Sequence, residues 1–191
     1  MPPDTVHAVT LNCHPETPTD AVRCIAARVC RSPGGVLAVA FVLEGDLGRL
    51  RMPAPRAPRI ASGLWRHTCC EIFIARKGLP AYHEFDLSPS GEWAAYAFDD
   101  YRSPCAGDSH TAGPGPQFAV HAAADKLEID AVIHLDGLSV HYPGARLSLA
   151  LSAVVEHSDG ALSYWALRHP PGKPDFHHPE AFAMDLNKVA G

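Results

Sequence analysis

Short segments in which apolar and polar residues alternate recur along the whole chain, separated by Gly and Pro. Alternation with period two is typical of strands that bury one face, and Gly and Pro are typical of turns. The segment Val22 to Cys30 also suits a helix, because it is rich in Ala and Arg. The predicted strands are Val6 to Leu11, Val22 to Cys30, Val36 to Glu44, Arg49 to Met52, Thr68 to Ala75, Ala81 to Leu87, Trp93 to Phe98, Phe118 to Ala123, Leu127 to Leu135, Leu147 to Glu156 and Leu162 to Leu167.

The number and length of these segments indicate the fold class. Many short strands, with 15 Gly and 18 Pro in the chain and no internal repeat, favour an antiparallel β-sandwich or jelly roll. A chain of 191 residues is long enough for one domain with a substantial core, so we expect a single domain over residues 1–191. Two long irregular stretches, Arg102 to Gln117 and His169 to Glu180, are expected at a binding rim.

The clearest local prediction is a hairpin in YHEFDLSPSGEWAAYAF. Ser88-Pro89-Ser90-Gly91 has Pro at the second turn position and Gly at the fourth, as a type I turn prefers. Strand alternation then assigns faces on both sides of the turn and in the neighbouring predicted strands. The apolar positions expected in the core are Cys70, Ile72, Ile74, Phe85, Leu87, Leu149 and Leu151.

The segment GLWRHTCCEIFI places Glu71 within an otherwise apolar strand. An ionised carboxylate loses its hydration on burial, so either its face is open or a partner compensates. Alternation places Glu71 on the face of Tyr82, Glu84 and Asp86, opposite the predicted core. We therefore expect Glu71 on a polar, ligand-accessible sheet face.

Composition and charge exclude several partner classes. The apolar fraction is 47% and the net charge is only −5, with no basic run to bind nucleic acid. No stretch approaches the roughly 18 apolar residues of a membrane span, and MPPDTVHAVTLNC has no signal pattern, so we expect a cytoplasmic protein. The six cysteines have no framework spacing, and we expect free thiols.

Three segments carry a resemblance to a known family: LWRHTCCEIFI, YHEFDLSPSGEWAAYAFDDYR and SYWALRHPPGKPDFHH. Together they resemble bacterial DOMON-like domain proteins, which are similar in fold to family-nine carbohydrate-binding modules. The resemblance implies a β-sandwich that binds a ligand without catalysis. In the carbohydrate-binding branch, a Trp ahead of a strand, a Glu within it and an aromatic near the domain's end form the sugar site. The matching residues here are Trp65, Glu71 and Trp165.

Sugar chemistry supports this assignment independently. A pyranose packs its C–H face on an indole, and its hydroxyls need charged or amide partners. We expect a shallow groove with Trp65 as the platform, Glu71 as an acceptor, Arg66 and Arg102 as donors, and Tyr82 and Glu84 as flanking contacts. The alternative is that Trp65, Trp93 and Trp165 only pack, and that Glu71 pairs with an arginine on a solvated face.

Haem b is the rival ligand, because other DOMON-type domains hold it through axial Met and His side chains. Met52, Met184 and many histidines permit such a site, although no C-x-x-C-H motif is present. In KPDFHHPEAF, adjacent His177 and His178 point apart, so they are not predicted to share a metal ion. Phe176 is expected to anchor this loop.

Catalytic motifs are not recognisable in the sequence. SPSG is not a nucleophile elbow, and neither H-E-x-x-H nor a P-loop occurs. A glycan-processing enzyme that uses the carboxylate pair Glu71 and Glu84 remains an alternative, because sequence does not reveal whether one of them has a raised pKa. The sequence predicts a noncatalytic domain without a metal site.

Overall fold

The computed structural model describes residues 6–105, 115–138, 140, 142 and 144–186. It is built almost entirely of β-strands, with four short 3-10 helices at Leu47–Arg49, Leu64–Arg66, Leu135–Gly137 and Pro179–Ala181 in this part of the chain. No helix among the described residues is long and apolar enough to span a bilayer. The strands are β1 Val6–Cys13, β2 Val22–Arg31, β3 Val36–Gly45, β4 Arg59–Ile60, β5 Cys69–Arg76, β6 Tyr82–Leu87, β7 Glu92–Asp100, β8 Ser103–Pro104, β9 Gln117–Ala122, β10 Lys126–His134, β11 Leu147–Glu156, β12 Leu162–Ala166 and β13 Met184–Leu186.

The strands form two sheets that share β1. The first sheet has the order β1-β2-β3-β10-β9, and the second has the order β12-β11-β5-β6-β7. The first part of β1 pairs with β2, whereas Asn12 and Cys13 at its end pair with β12, so one strand passes from sheet to sheet. Short β4 and β8 flank β7, and β13 pairs with β11. Among the described strands, all pairings are antiparallel except that between β4 and β7, which confirms the predicted antiparallel β-sandwich.

One apolar core lies between the two sheets. All seven residues predicted for the core belong to it, and each is 5% exposed or less. Val22–Arg31 is a strand, so its helical alternative is wrong. The predicted strand Arg49 to Met52 is also wrong: a 3-10 helix ends at Arg49, and Leu50 makes only an isolated bridge to His157.

The predicted hairpin connects β6 and β7. The Gly91 amide donates to the Ser88 carbonyl at 3.0 Å, which closes the four-residue turn. Gly91 has φ +94°, a conformation that residues with a Cβ adopt only at a cost. The turn fixes the register in which Asp86 faces Ala94 and Glu84 faces Tyr96, and it thereby places polar side chains on the outer face of the second sheet.

That outer face is covered, contrary to the expectation of an open face. Glu71, Tyr82, Glu84 and Asp86 are all 4% exposed or less. The chain around the Leu64–Arg66 helix covers one part of the face, and residues 173–182 cover another. Phe73, Tyr82, Phe98 and Phe176 form a second apolar cluster there. The second sheet is therefore buried on both faces around the site described next.

Candidate functional site

A cavity of about 780 Å³ opens on the outer face of the second sheet. Its floor is formed by side chains from neighbouring strands, and its walls come from the Leu64–Arg66 helix, Arg102 and residues 173–177. Ligand sites of small molecules typically enclose about 300–1,000 Å³. The lining residues are Ser62, Gly63, Trp65, Arg66, Glu71, Glu84, Tyr96, Phe98, Arg102, Pro104, Val154, Tyr164, Lys173, Pro174, Phe176 and His177.

Trp65 stands at one wall of the cavity because its neighbour is anchored. Gly63, with φ +74°, begins the short helix, and buried Leu64 packs against Cys69 and Ala94. Trp65 consequently projects outward and is 49% exposed. The Arg66 guanidinium lies 4.9 Å from the indole centroid, so one face of the ring is already in a cation–π contact. The second face is the natural platform for a ligand.

The floor carries a carboxyl cluster, by which we mean Glu71, Glu84 and Asp86. Glu71 on β5 lies directly opposite Asp86 on β6. Glu84 precedes Asp86 by two residues and lies on the same face. The Ser152 hydroxyl donates to Glu71 Oε2 at 3.3 Å. Neither oxygen of Asp86 accepts a hydrogen bond from an N–H or hydroxyl group in the described chain. The carboxyl of Glu84 can share a proton with Asp86.

Burial of three neighbouring carboxyls favours their neutral forms. Desolvation, followed by the charge of Asp86, raises the pKa of Glu71 well above its ordinary value, although Ser152 and Arg102 oppose this shift. Desolvation and the charges of Asp86 and Glu71 raise the pKa of Glu84 in the same way. Desolvation raises the pKa of Asp86 to about 7. A neutral carboxyl both donates and accepts hydrogen bonds, as a sugar hydroxyl does.

Arg102 is held at the cavity by a network that includes the 169–180 loop. Its guanidinium donates to Asp175 Oδ1 at 2.8 Å, and the Tyr101 hydroxyl donates to Asp175 Oδ2 at 2.6 Å. The backbone of Arg102 has φ +51°, and its amide donates to the Tyr82 hydroxyl at 3.2 Å. Burial alone would raise the pKa of Asp175, but the hydrogen bonds from Tyr101 and Arg102 hold it below its ordinary value. The arginine is thus kept facing the cavity.

His177 connects this network to the floor. Its Nδ1 lies 2.8 Å from the Tyr82 hydroxyl, and its Nε2 lies 3.6 Å from Glu84 Oε2. Burial lowers the pKa of His177 to about 4, so the ring is neutral at pH 7. The Tyr82 oxygen also accepts from the Arg102 amide, so Tyr82 links His177 to Arg102.

Five of the seven residues predicted for the site line the cavity. Trp65, Arg66, Glu71, Glu84 and Arg102 are brought together there. Tyr82 is not: it lies behind the wall, 3% exposed, and holds His177 and the backbone of Arg102. Trp165 is not either: it is 6% exposed, packs in the core between the sheets and donates to Ser163. The predicted groove is a cavity of about 780 Å³, and the buried Glu84 lines it.

The residues that sequence reasoning missed come mostly from the covering segments. Tyr164 lines the cavity because alternation along β12 places it opposite Trp165. Phe176 is buried, as predicted for the loop anchor, and it also forms part of the wall. Lys173 adds a third cation beside Arg66 and Arg102. His178 instead accepts from the Glu180 amide and begins the Pro179–Ala181 helix.

No methionine is among the described residues that line this cavity, so the cavity does not offer the axial Met that the haem alternative requires. Met52 packs against the core between the sheets, and Met184 is 7% exposed within that core. Neither residue is among the described side chains that line the cavity. The predicted Arg102 to Gln117 rim is described only up to Cys105 and from Gly115 on, and of it Arg102 and Pro104 line the cavity.

Solved structures with a similar fold include carbohydrate-binding proteins. A candidate carbohydrate-binding protein from Bacteroides uniformis ATCC 8492 has a TM-score of 0.63 at 13% identity, over 93% of this chain and 83% of the other. A family 9 carbohydrate-binding module from Caldicellulosiruptor kristjanssonii in complex with glucose has a TM-score of 0.58 at 11% identity, over 95% and 85%. The fold is similar to that of these β-sandwich proteins.

A second structure described as a family 9 module of C. kristjanssonii, in complex with cellotriose, has a TM-score of 0.51 at 12% identity, over 87% of this chain and 75% of the other. No protein-family model matches the sequence, and no curated protein matches it significantly. At these identities the carbohydrate-binding-module likeness establishes the fold, and the chemistry of the site has to be argued from its own residues.

Proposed function

We propose that this chain is a noncatalytic sugar-binding domain of the DOMON-like type, and that the sugar occupies the 780 Å³ cavity. The observation that carries the proposal is the pairing of a half-exposed indole, Trp65, with buried carboxyls in one cavity. Stacking on an indole and hydrogen bonding to polar groups are the two interactions that a pyranose requires. The fold likeness to modules solved with glucose and cellotriose supports the same ligand class.

The lining residues divide these interactions between them. Trp65 is the stacking platform, and Tyr164 and Phe176 supply further apolar surface within the cavity. Glu71 and Glu84 hydrogen-bond hydroxyls at the floor, as both donors and acceptors, because burial raises the pKa of each and favours its neutral form. Arg66, Arg102 and Lys173 donate from the walls. Tyr82 positions His177 and does not touch the ligand.

The carboxyl chemistry favours binding over hydrolysis. A glycosidase pair works because one carboxyl is protonated while the other is ionised. Here the pKa values of Glu71 and Glu84 are both raised, for the same main reason of burial. The environment therefore does not separate an acid from a base or nucleophile, and we assign both residues to ligand binding.

A glycan array tests the ligand class and the site together. We expect wild type to bind at least one class of glycan, and Trp65→Ala to weaken that binding by about 2 kcal/mol, roughly 30-fold. The melting temperature of Trp65→Ala should stay nearly unchanged because the side chain is 49% exposed. Leu79→Ala is the matched control, since Leu79 is 47% exposed and lies outside the cavity lining.

Two array results would contradict the proposal. The first is a wild-type protein, folded by circular dichroism, that binds no glycan on the array. The second is a glycan signal that Trp65→Ala leaves at the wild-type level, because the sugar would then bind away from the cavity.

A further inference from the structure

Three potential metal ligands converge beneath the floor of the cavity. The Cys69 sulfur, one carboxylate oxygen of Glu71 and one of Asp86 all lie within 4.8 Å of one another. The fold explains this arrangement, because Cys69 and Glu71 are two residues apart on one face of β5 and Asp86 is the cross-strand neighbour of Glu71. All three residues are buried.

Asp86 supplies a second observation that points to a ligand at this place. Its side chain is 0% exposed, and neither oxygen accepts a hydrogen bond from an N–H or hydroxyl group among the described residues. The Glu84 carboxyl can donate to Asp86 only while it is protonated, and it supplies no positive charge. Buried carboxylates in proteins are hydrogen-bonded, paired with a cation or bound to a metal ion. The cationic groups at this site, Arg66, Arg102 and Lys173, line the cavity above, whereas Asp86 is not part of its lining. The side chain is directed instead into the group with Cys69 and Glu71.

We propose that Cys69, Glu71 and Asp86 bind one divalent zinc-type ion beneath the cavity floor. Zinc accepts thiolate and carboxylate ligands, with bonds that place tetrahedral ligand atoms roughly 3.3–3.7 Å apart. Side chains whose ligand atoms already lie within 4.8 Å of one another reach that spacing by small rotations. Binding releases the Cys69 thiol proton to solvent, since the thiolate is the ligand.

The ligand set selects the class of metal. Calcium and magnesium prefer shells made wholly of oxygen, whereas a thiolate favours a softer ion such as Zn²⁺. Three protein ligands leave the fourth tetrahedral position for water or another donor. The Ser152 hydroxyl, which donates to Glu71 Oε2, would orient that ligand from outside the coordination shell. With zinc bound, Glu71 would be ionised and would serve a sugar hydroxyl only as an acceptor. The proposal concerns the cation alone and does not depend on the sugar.

Cobalt titration of chelator-treated, metal-free protein tests the site. Thiolate ligation of Co²⁺ gives a near-ultraviolet charge-transfer band, which Zn²⁺ should abolish by competition. We expect one equivalent to bind to wild type. Cys69→Ala should lose the band, whereas Cys70→Ala should keep it, because the neighbouring Cys70 faces the core between the sheets. Asp86→Asn and Glu71→Gln, which keep the side-chain shapes, should each weaken Zn²⁺ binding about tenfold or more.

Absence of Co²⁺ and Zn²⁺ binding in folded wild type overturns the proposal, since protons alone would then neutralise the cluster. Stoichiometric binding that survives in Cys69→Ala, Glu71→Gln and Asp86→Asn also overturns it. Circular dichroism shows whether Cys69→Ala folds; if it does not, the other two variants decide. Repeating the glycan array on metal-free protein separates the two proposals, because any glycan binding measured there does not involve the metal.

Discussion

His83 is an imidazole whose neutral form the fold requires. Its side chain is 0% exposed, its Nδ1 lies 2.7 Å from the Tyr142 hydroxyl, and that hydroxyl donates to the Ile74 carbonyl at 2.9 Å. Since Tyr142 uses its proton on Ile74, His83 Nδ1 carries the proton between them. Burial lowers the pKa of His83 to about 4, from 6.5 in a solvated chain.

We predict that this histidine makes the protein less stable in acid. Between pH 6.5 and 4 the unfolded chain binds a proton at His83 that the folded chain does not, so the free energy of unfolding falls as the pH decreases. The loss amounts to about 3 kcal/mol once the pH is below 4. Urea unfolding of wild type and His83→Gln across this pH range measures it: wild type should lose stability relative to the variant. A difference that stays constant with pH would contradict the prediction.

At the scale of single residues, the sequence predicted which side chains share a face of the sheet better than it predicted whether that face is covered by other segments. Alternation correctly placed Glu71, Glu84 and Asp86 together, because a β-strand fixes which side chains share a face. The same pattern placed Cys69 beside them, although no metal site was predicted from it. The error was to treat that face as open. The cover comes from Leu64 and Phe176, which are distant in sequence from β6, and period-two patterns do not report such long-range contacts.

At the scale of elements, the β6–β7 turn depends on one glycine. A Cβ added at Gly91 would lie 2.9 Å from the Arg56 carbonyl oxygen, in addition to the cost of φ +94°. We predict that Gly91→Ala lowers the free energy of unfolding by about 2 kcal/mol or more. Gly78→Ala is the matched control, because Gly78 has φ +87° but no atom within 4 Å, and should cost about 1 kcal/mol. Urea midpoints measure both; equal losses would show that the Arg56 contact does not matter.

Elements with a long alternating pattern were predicted well, and short ones were not. The hairpin and the core strands were correct because alternation and turn chemistry agree over many residues. The two-residue strands β4 and β8 and the three-residue β13 were missed, since such lengths carry no periodicity. Arg49 to Met52 failed for a related reason: Asp46 accepts from the Gly48 amide and begins a 3-10 helix instead.

At the scale of the whole molecule, the two sheets differ in what they do. The first sheet covers one side of the core, whereas the second packs against the core with one face and forms the cavity floor with the other. The walls come from segments far apart in sequence, Ser62 to Arg66 and Lys173 to His177, together with Arg102. A cavity assembled in this way is a property of the fold, so sequence reasoning nominated only five of its sixteen lining residues and did not predict how the walls close around them.

The place of the sugar is the central claim, and a crystal structure with a bound array glycan tests it most directly. We predict a sugar ring stacked on the face of Trp65 opposite Arg66, with hydroxyls within hydrogen-bonding distance of Glu71 or Glu84. A sugar found on the first sheet, or anywhere that leaves Trp65 and the cavity empty, would contradict the account.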